Sequence, residues 1–444
     1  MASRRSIAPS QITSGQMTPQ EDHADFSNLV SPLFSSHLKE RLQLLDPKEG
    51  KEGHNFNKNR FVHSIEVLSE DRRKVSVLQR EQALGMLLTD MATKYDPDII
   101  NYDLFSTIVQ SFLQARSTVE ASTALQLTVV ALTFIDDEDT HASSCLELVQ
   151  QLSSNLRKRI TEEKNPELLS AMITACSVLT YFLNAGGGGY GMEKEVGWFL
   201  EIAEGLGEKE AVAVSASISG AALLLTLCST GSVHEIASEW LPTLEVLLNS
   251  SQVQPRMATS KFIAVMVEGS DPSFLKSEEV EEQMDEIKNT LESISQQSVQ
   301  RTAKRDKKVQ NLLIKSVLKQ CNIATEPEKE DGDEDEEAVD LVPQFLKNTI
   351  SKNLGISTWD ALVVLDHLTW VFGPGLHTQL ANNIFVRQLL KKEDVYIQHS
   401  EQPIFYEQEK QFKSNEPRKV DEAKRSQQMR KQQLRKVEDR NLID

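Results

Sequence analysis

Near the C-terminus, eight basic side chains stand as four doublets: Arg418-Lys419, Lys424-Arg425, Arg430-Lys431 and Arg435-Lys436. Asp421 and Glu422 are the acidic residues among them, so 418–436 carries a net +6, and Lys413 adds a further base just upstream. Wound as a helix at about 100° per residue, these bases point all around the axis. A membrane-surface helix would segregate them opposite an apolar stripe. A helix made for a protein groove would show apolar anchors at i, i+3, i+4 and i+7. Val420, Met429, Leu434 and Val437 are too few for either. Charge on every side suits an enclosure walled by phosphate, such as a channel through folded RNA. Such a segment is expected to be disordered alone and to fold on binding. The plain alternative is a nuclear-import or nonspecific basic tail. A second cluster, Arg301, Lys304, Arg305, Lys307 and Lys308, opens a long helical pattern. Positive charge in a first helical turn opposes the helix dipole, a hint of an electrostatic role against the simpler reading of an exposed helix face.

Other constellations lead away from catalysis. Gly186–Gly191 (GGGGYG) has the spacing of a dinucleotide loop, but the segment before it is helical in pattern, where that loop needs a strand. An inter-helix connection is expected there instead. The acidic run from Asp331 resembles a calcium loop but has Glu336 where the sharp turn requires glycine. His141 with Cys145, and His367 with His377, do not extend to a four-ligand zinc set. No nucleophile elbow or zinc-protease motif is present. The expectation is a protein with no catalytic residues, no metal, no cofactor and no small-molecule substrate.

The elements that carry these residues are helical. With 19 glycines and 14 prolines in 444 residues, the chain is too poor in turn formers for a sandwich or barrel. Similar apolar runs begin near Val77, Thr118, Glu167, Val212 and Gln254. These spacings bracket the roughly 40–47 residues of HEAT and armadillo repeats. More exposed amphipathic helices alternate with them near 98–114, 143–159, 193–206 and 233–248. The pattern predicts an all-α, armadillo/HEAT-like α-solenoid of about five units, with Pro97, Pro166, Pro242, Pro255 and Pro272 at its corners. The uncharged stretch from Ala211 to Cys228 is rich in Ala and Ser, which suits a helix enclosed by helices better than a membrane span. The four cysteines are widely spaced and read as buried reduced thiols of an intracellular protein.

Along the chain, residues 1–55 are expected to be a disordered arm, without a secretory signal, and 56–325 the repeat domain. Residues 326–340 hold ten acidic side chains and one lysine, net −9, in an extended linker or a decoy for the basic tail. Residues 341–395 form a small helical domain or a cap on the solenoid, and 396–444 the basic tail.

At the second basic cluster a resemblance enters. Ala303–Lys308 (AKRDKK) and the helix after it resemble the start of the C-terminal domain of the interferon-related developmental regulator family. Phe372-Gly373-Pro374-Gly375-Leu376, then Leu380, Asn383, Phe385 and Arg387, are similar to its G-x-G and L-x-x-N-x-F-x-R pattern, with Trp359 upstream. The N-terminal repeats match that family in style. The acidic insert and the wording of the tail depart from it. The resemblance implies an armadillo-like non-enzyme that co-regulates transcription or binds translationally inactive ribosomes, its C-terminal helix in the mRNA path and tRNA sites. The leading expectation is therefore a monomeric, cytoplasmic translation-silencing factor with ribosomal RNA and proteins as partners and no membrane. The alternative is a nuclear scaffold that binds regulatory proteins through the solenoid's concave face.

Overall fold

Helix starts follow local capping chemistry. Ser76 Oγ accepts from the Gln79 N–H at 3.2 Å while the Gln79 side chain accepts from the Ser76 N–H at 2.9 Å, a capping box that starts a helix at Val77. The side chains of Asn101, Ser117, Asn165 and Ser229 accept from first-turn N–H groups of later helices, and Pro166 takes the first helical position behind Asn165. The computed structural model describes residues 58–135, 141–278, 280–296, 304–325 and 354–390. Among them there are helices and turns and no strand.

The helices form two rows. The outer row is α1 (Lys58–Ser69), α3 (Tyr102–Leu113), α5 (Ala142–Ile160), α7 (Met192–Gly205), α9 (Thr230–Leu248) and α12 (Glu281–Gln296). The inner row is α2 (Val77–Thr93), α4 (Thr118–Leu132), α6 (Pro166–Asn184), α8 (Ala211–Leu225), α10 (Val253–Gly269) and α13 (Lys304–Thr325). A four-residue helix, α11 (Pro272–Leu275), joins α10 to α12. Each outer helix packs on the inner helix that follows it, and each inner helix packs on the next. The protein is an all-α solenoid. It has six helix pairs among the described residues rather than the expected five. The sixth inner helix, α13, opens with charged residues, so it does not read as an apolar run.

Pro242 departs from expectation too. It lies inside α9 instead of at a corner. A proline there costs a backbone hydrogen bond, but Trp240, Leu241 and Leu244 around it are buried, and that packing holds the helix through it. The glycine run does form a connection, between α6 and α7. Gly188, Gly189 and Gly191 have φ of 70–81°, and a Cβ on Gly189 would stand 1.8 Å from the Leu227 carbonyl oxygen.

Helices α4, α6, α8 and α10 are buried all round, lacking a polar stripe. The outer row covers one side of them. The other is covered by residues 354–390, which form α14 (Trp359–Phe372), α15 (Leu376–Asn382) and α16 (Ile384–Leu389). Helix α14 packs on α10, α8, α4 and α2, and α15 on α2. The segment expected as a separate small domain or an end cap is a strap laid along the inner row. One helix among the described residues, α6, is long and apolar enough to cross a membrane, and 78% of its apolar window is buried among its neighbours. Helix α8 is likewise enclosed, as its small residues predict.

Gly220 of α8 lies where a Cβ would come within 2.8 Å of Ser177 Cβ on α6, whereas nothing lies within 4 Å of a Cβ on Gly85 of α2. Gly220→Val is therefore expected to destabilise by about 1–3 kcal/mol. Gly85→Ala should stabilise by up to about 1 kcal/mol through helix propensity. Urea unfolding of the two variants checks both signs.

Candidate functional site

Buried polar groups converge where the strap meets the inner row. Trp359 is fully buried, and its backbone N–H donates to Glu268 Oε2 of α10 at 2.8 Å. The Asp360 N–H donates to the same oxygen at 3.0 Å. A carboxylate thus sits on the N-terminus of α14, where the helix dipole favours it. At the other end of α14, Gln126 Nε2 of α4 donates to the Trp370 and Val371 carbonyls at 2.7 and 3.1 Å. Both ends of this helix are therefore closed by inner-row side chains. Between them Lys261 Nζ of α10 meets Asp366 Oδ2 at 2.5 Å. Burial raises the Asp366 pKa, against the pull of Lys261. Beside it, burial lowers the His367 imidazole to about 4, so it stays neutral, with Nδ1 2.8 Å from the Val363 carbonyl oxygen.

The remaining family-motif residues continue this closure. Gly373 has φ +51°, and a Cβ on Gly375 would lie 2.2 Å from the Ala92 carbonyl oxygen, so both positions need glycine. Gln379 Nε2 donates to the Met91 and Ala92 carbonyls at 3.0 and 2.9 Å, closing the C-terminus of α2. Asn383 Nδ2 donates to the Thr133 carbonyl past the end of α4 at 3.0 Å, while its Oδ1 accepts from the Val386 N–H at 3.3 Å to start α16. Leu380 is buried. Phe385 meets Phe182 of α6 edge-on with ring centroids 5.5 Å apart, and Tyr181 Oη donates to the Leu389 carbonyl at 3.3 Å. Arg387 Nη1 donates back to the Ala381 carbonyl at 2.8 Å. Trp359, Gly373, Gly375, Leu380, Asn383, Phe385 and Arg387 are thus brought together as parts of one strap, each spent on packing or a helix end. What the arrangement does chemically is to satisfy backbone groups.

A second buried cluster lies at the N-terminal ends of α2 and α4. Glu120 is fully buried and accepts from Arg80 Nε at 2.9 Å and Arg72 Nη2 at 2.8 Å. Arg80 also donates to the Leu68 carbonyl at 3.0 Å and to Ser111 Oγ at 3.1 Å. Burial first, then Arg80, lowers the Arg72 pKa, with Glu120 pulling it back up. This network ties the first two helix pairs together. Burial pushes the thiols of Cys176, Cys228 and Cys321 up to about 12, which leaves them unreactive. No group of three or more metal-ligating side chains occurs among the described residues.

Of the basic candidates, Lys304, Arg305, Lys307 and Lys308 lie in the first turns of α13. Arg301 and the tail bases Lys413, Arg418, Lys419, Lys424, Arg425, Arg430, Lys431, Arg435 and Lys436 lie outside the described residues, as does the acidic linker.

The model of the interferon-related developmental regulator family matches residues 30–322, about two thirds of the 444-residue chain. The chain belongs to that family. Within this interferon-related developmental regulator the match falls on the repeats, which resemble the family in style. The strap, which carries the quoted motif, lies beyond it. Mouse interferon-related developmental regulator 2 is 28% identical over 174 residues, 39% of this chain and 35% of that relative's length. The strap's partners on the repeats, Glu268, Gln126 and Tyr181, were not anticipated. Their one signal in the sequence is a polar side chain within an otherwise apolar helix.

Burial, the main cause, raises the Glu268 carboxyl to about 7 from an ordinary 4.5. Its proton is held more tightly in the folded chain than in the unfolded one. The stability it contributes is therefore full below about 4.5 and is lost as pH rises through about 7. His367, with its lowered value, acts with the opposite sign and is common to wild type and variant. Between pH 5 and pH 8, the urea midpoint of wild type should fall relative to that of Glu268→Gln. Parallel pH profiles would show that Glu268 does not titrate in the fold.

Proposed function

We propose that this family member is a ribosome-binding, translation-silencing factor of the hibernation type that acts without catalysis. The solenoid docks on ribosomal protein and ribosomal RNA, and the basic tail enters the mRNA channel and tRNA sites, excluding their normal occupants by bulk and charge. The observation that carries this reading is the sequence of the tail: a net +6 within 418–436 on a chain of net −18, with doublets spaced so that a helix wound from them would carry bases on every side. A surface of that kind gains most where phosphates surround it. The factor acts as a monomer in the cytoplasm, with a nuclear pool compatible with the same basic signal.

The other reading, a nuclear scaffold that recruits regulatory proteins, depends on an open inner face. That face already holds α14, α15 and α16 of the same chain, and its helix ends are closed by Glu268, Gln126, Gln379 and Asn383. This occupancy supports the ribosomal reading over the scaffold.

Full-length protein and a chain truncated after Lys410 should be compared on polysome gradients and in a translation assay. Full-length protein is expected to co-sediment with ribosomes and inhibit translation, and the truncated chain to lose most of the inhibition. Equal inhibition by both would rule out the tail mechanism.

A further inference from the structure

In a two-row solenoid every outer-to-inner turn falls on one edge and every inner-to-outer turn on the other. Contacts between successive turns trace both edges here. On the first, Arg116 Nη1 donates to the Arg72 carbonyl at 3.3 Å, Asn165 Nδ2 to Thr118 Oγ1 at 3.4 Å, and Arg159 stacks over Phe112 at 4.7 Å. On the second, Tyr95 packs on Phe134 with centroids 5.2 Å apart.

The two edges differ in charge through the first three pairs. On the first edge, with Arg72 paired to Glu120 and Arg157 to Glu195, residues 70–76 leave two bases against two acids, 114–117 one base, and 158–165 three bases and two acids, net +2. The described residues of the second edge's connections, 94–101, 133–135 and 141, carry one base and two acids, net −1. Glu120, in the first turn of α4 at the basic edge, is fully buried and held by Arg80 and Arg72, so it offers no charge to solvent. Arg73, Lys74, Arg116, Lys158 and Lys164 are exposed along the basic edge. Their backbones are fixed by the N-caps at Ser76, Ser117 and Asn165 and by the turn-to-turn contacts above.

We propose that this edge, across α1 to α6, is a docking rail for the sugar-phosphate backbone of double-helical RNA. Its bases belong to successive helix pairs about 8–10 Å apart, a rigid row that spans about 20 Å over three pairs. A row of this kind reads backbone position and not sequence. Single-stranded RNA would call for aromatic platforms between the bases. Among the described residues the large exposed aromatic side chain is Tyr190, in the α6–α7 connection on the opposite edge. An acidic protein partner would call for an apolar centre to the patch. Only Leu78 and Leu113, at helix ends, approach that description among the exposed apolar side chains described. The rail rests on the ribosomal reading for its biological partner, but its RNA affinity stands separately from the tail.

The test uses the full chain in four forms: wild type, the rail variant R73E/K74E/K158E/K164E, a variant with the eight doublet bases of the tail changed to alanine, and the combination. Binding to a fluorescent 30-base-pair RNA duplex is followed by anisotropy between 50 and 200 mM salt, with thermal melting as a folding control. The rail variant should melt as wild type does, bind at least tenfold more weakly, and show a salt slope shallower by about 3–4. The same loss should appear in the tail-variant background. Unchanged affinity and slope in a folded rail variant would overturn the proposal, as would equal competition by polyglutamate and duplex RNA. Loss of ribosome co-sedimentation with duplex binding intact would assign the edge to a ribosomal protein and overturn the rail while the ribosomal reading stands. Failure of wild type to co-sediment would overturn that reading without touching the rail.

Discussion

Four consecutive inner helices without a polar face set the terms for everything else in this molecule. Buried apolar surface stabilises by about 25 cal/mol per Å², but only if both sides of the inner row are covered. The outer row covers one side. The chain supplies the other cover itself, carrying residues 354–390 back along the row from α10 to α2. Covering a helix with a helix brings backbone ends into the interior, and each unpaired end there costs about 1–3 kcal/mol. Glu268, Gln126, Gln379 and Asn383 answer that cost one helix end at a time. Burial of apolar surface and closure of helix ends are therefore two aspects of one requirement.

That requirement gives the family motif its meaning. Gly375 permits two backbones to approach, Asn383 serves one helix end while starting another, and Trp359 fills the fully buried start of α14. These side chains are held inward and take no part in presenting a surface. A solenoid with its inner face filled must meet partners through its edges, its outer row or the segments that leave it. The charge pattern falls on the first and last of these.

The repeat architecture was legible from the apolar runs, because a helix buried all round writes an uninterrupted apolar signature. Observed inner helices begin at Val77, Thr118, Pro166, Ala211 and Val253, within a residue or two of those runs. Helix α13 reads as a long helix but not as a sixth repeat, because its amphipathic pattern follows a basic opening, and at Pro242 the packing around the proline outweighs its local cost. The strap's location could not be read in advance. Apolar content shows that a segment must be covered, but not which surface covers it, and the motif residues Asn383 and Arg387 carry no sign that their partners are backbone carbonyls 250 and 6 residues away. The basic edge was hidden for a related reason. Its bases are scattered through 70–165 and converge only when the two-row topology is known.

Residues 354–390 are a constitutive part of the solenoid and close its inner face. Hydrogen–deuterium exchange on the full chain measures this most directly, since amides that open only with the whole fold share its stability. The amides of Trp359–Phe372 are expected to exchange as slowly as those of Ala211–Leu225 and to lose protection together with them in denaturant. Exchange of Trp359–Phe372 within seconds, while Ala211–Leu225 stays protected, would contradict it and reopen the inner face to other partners.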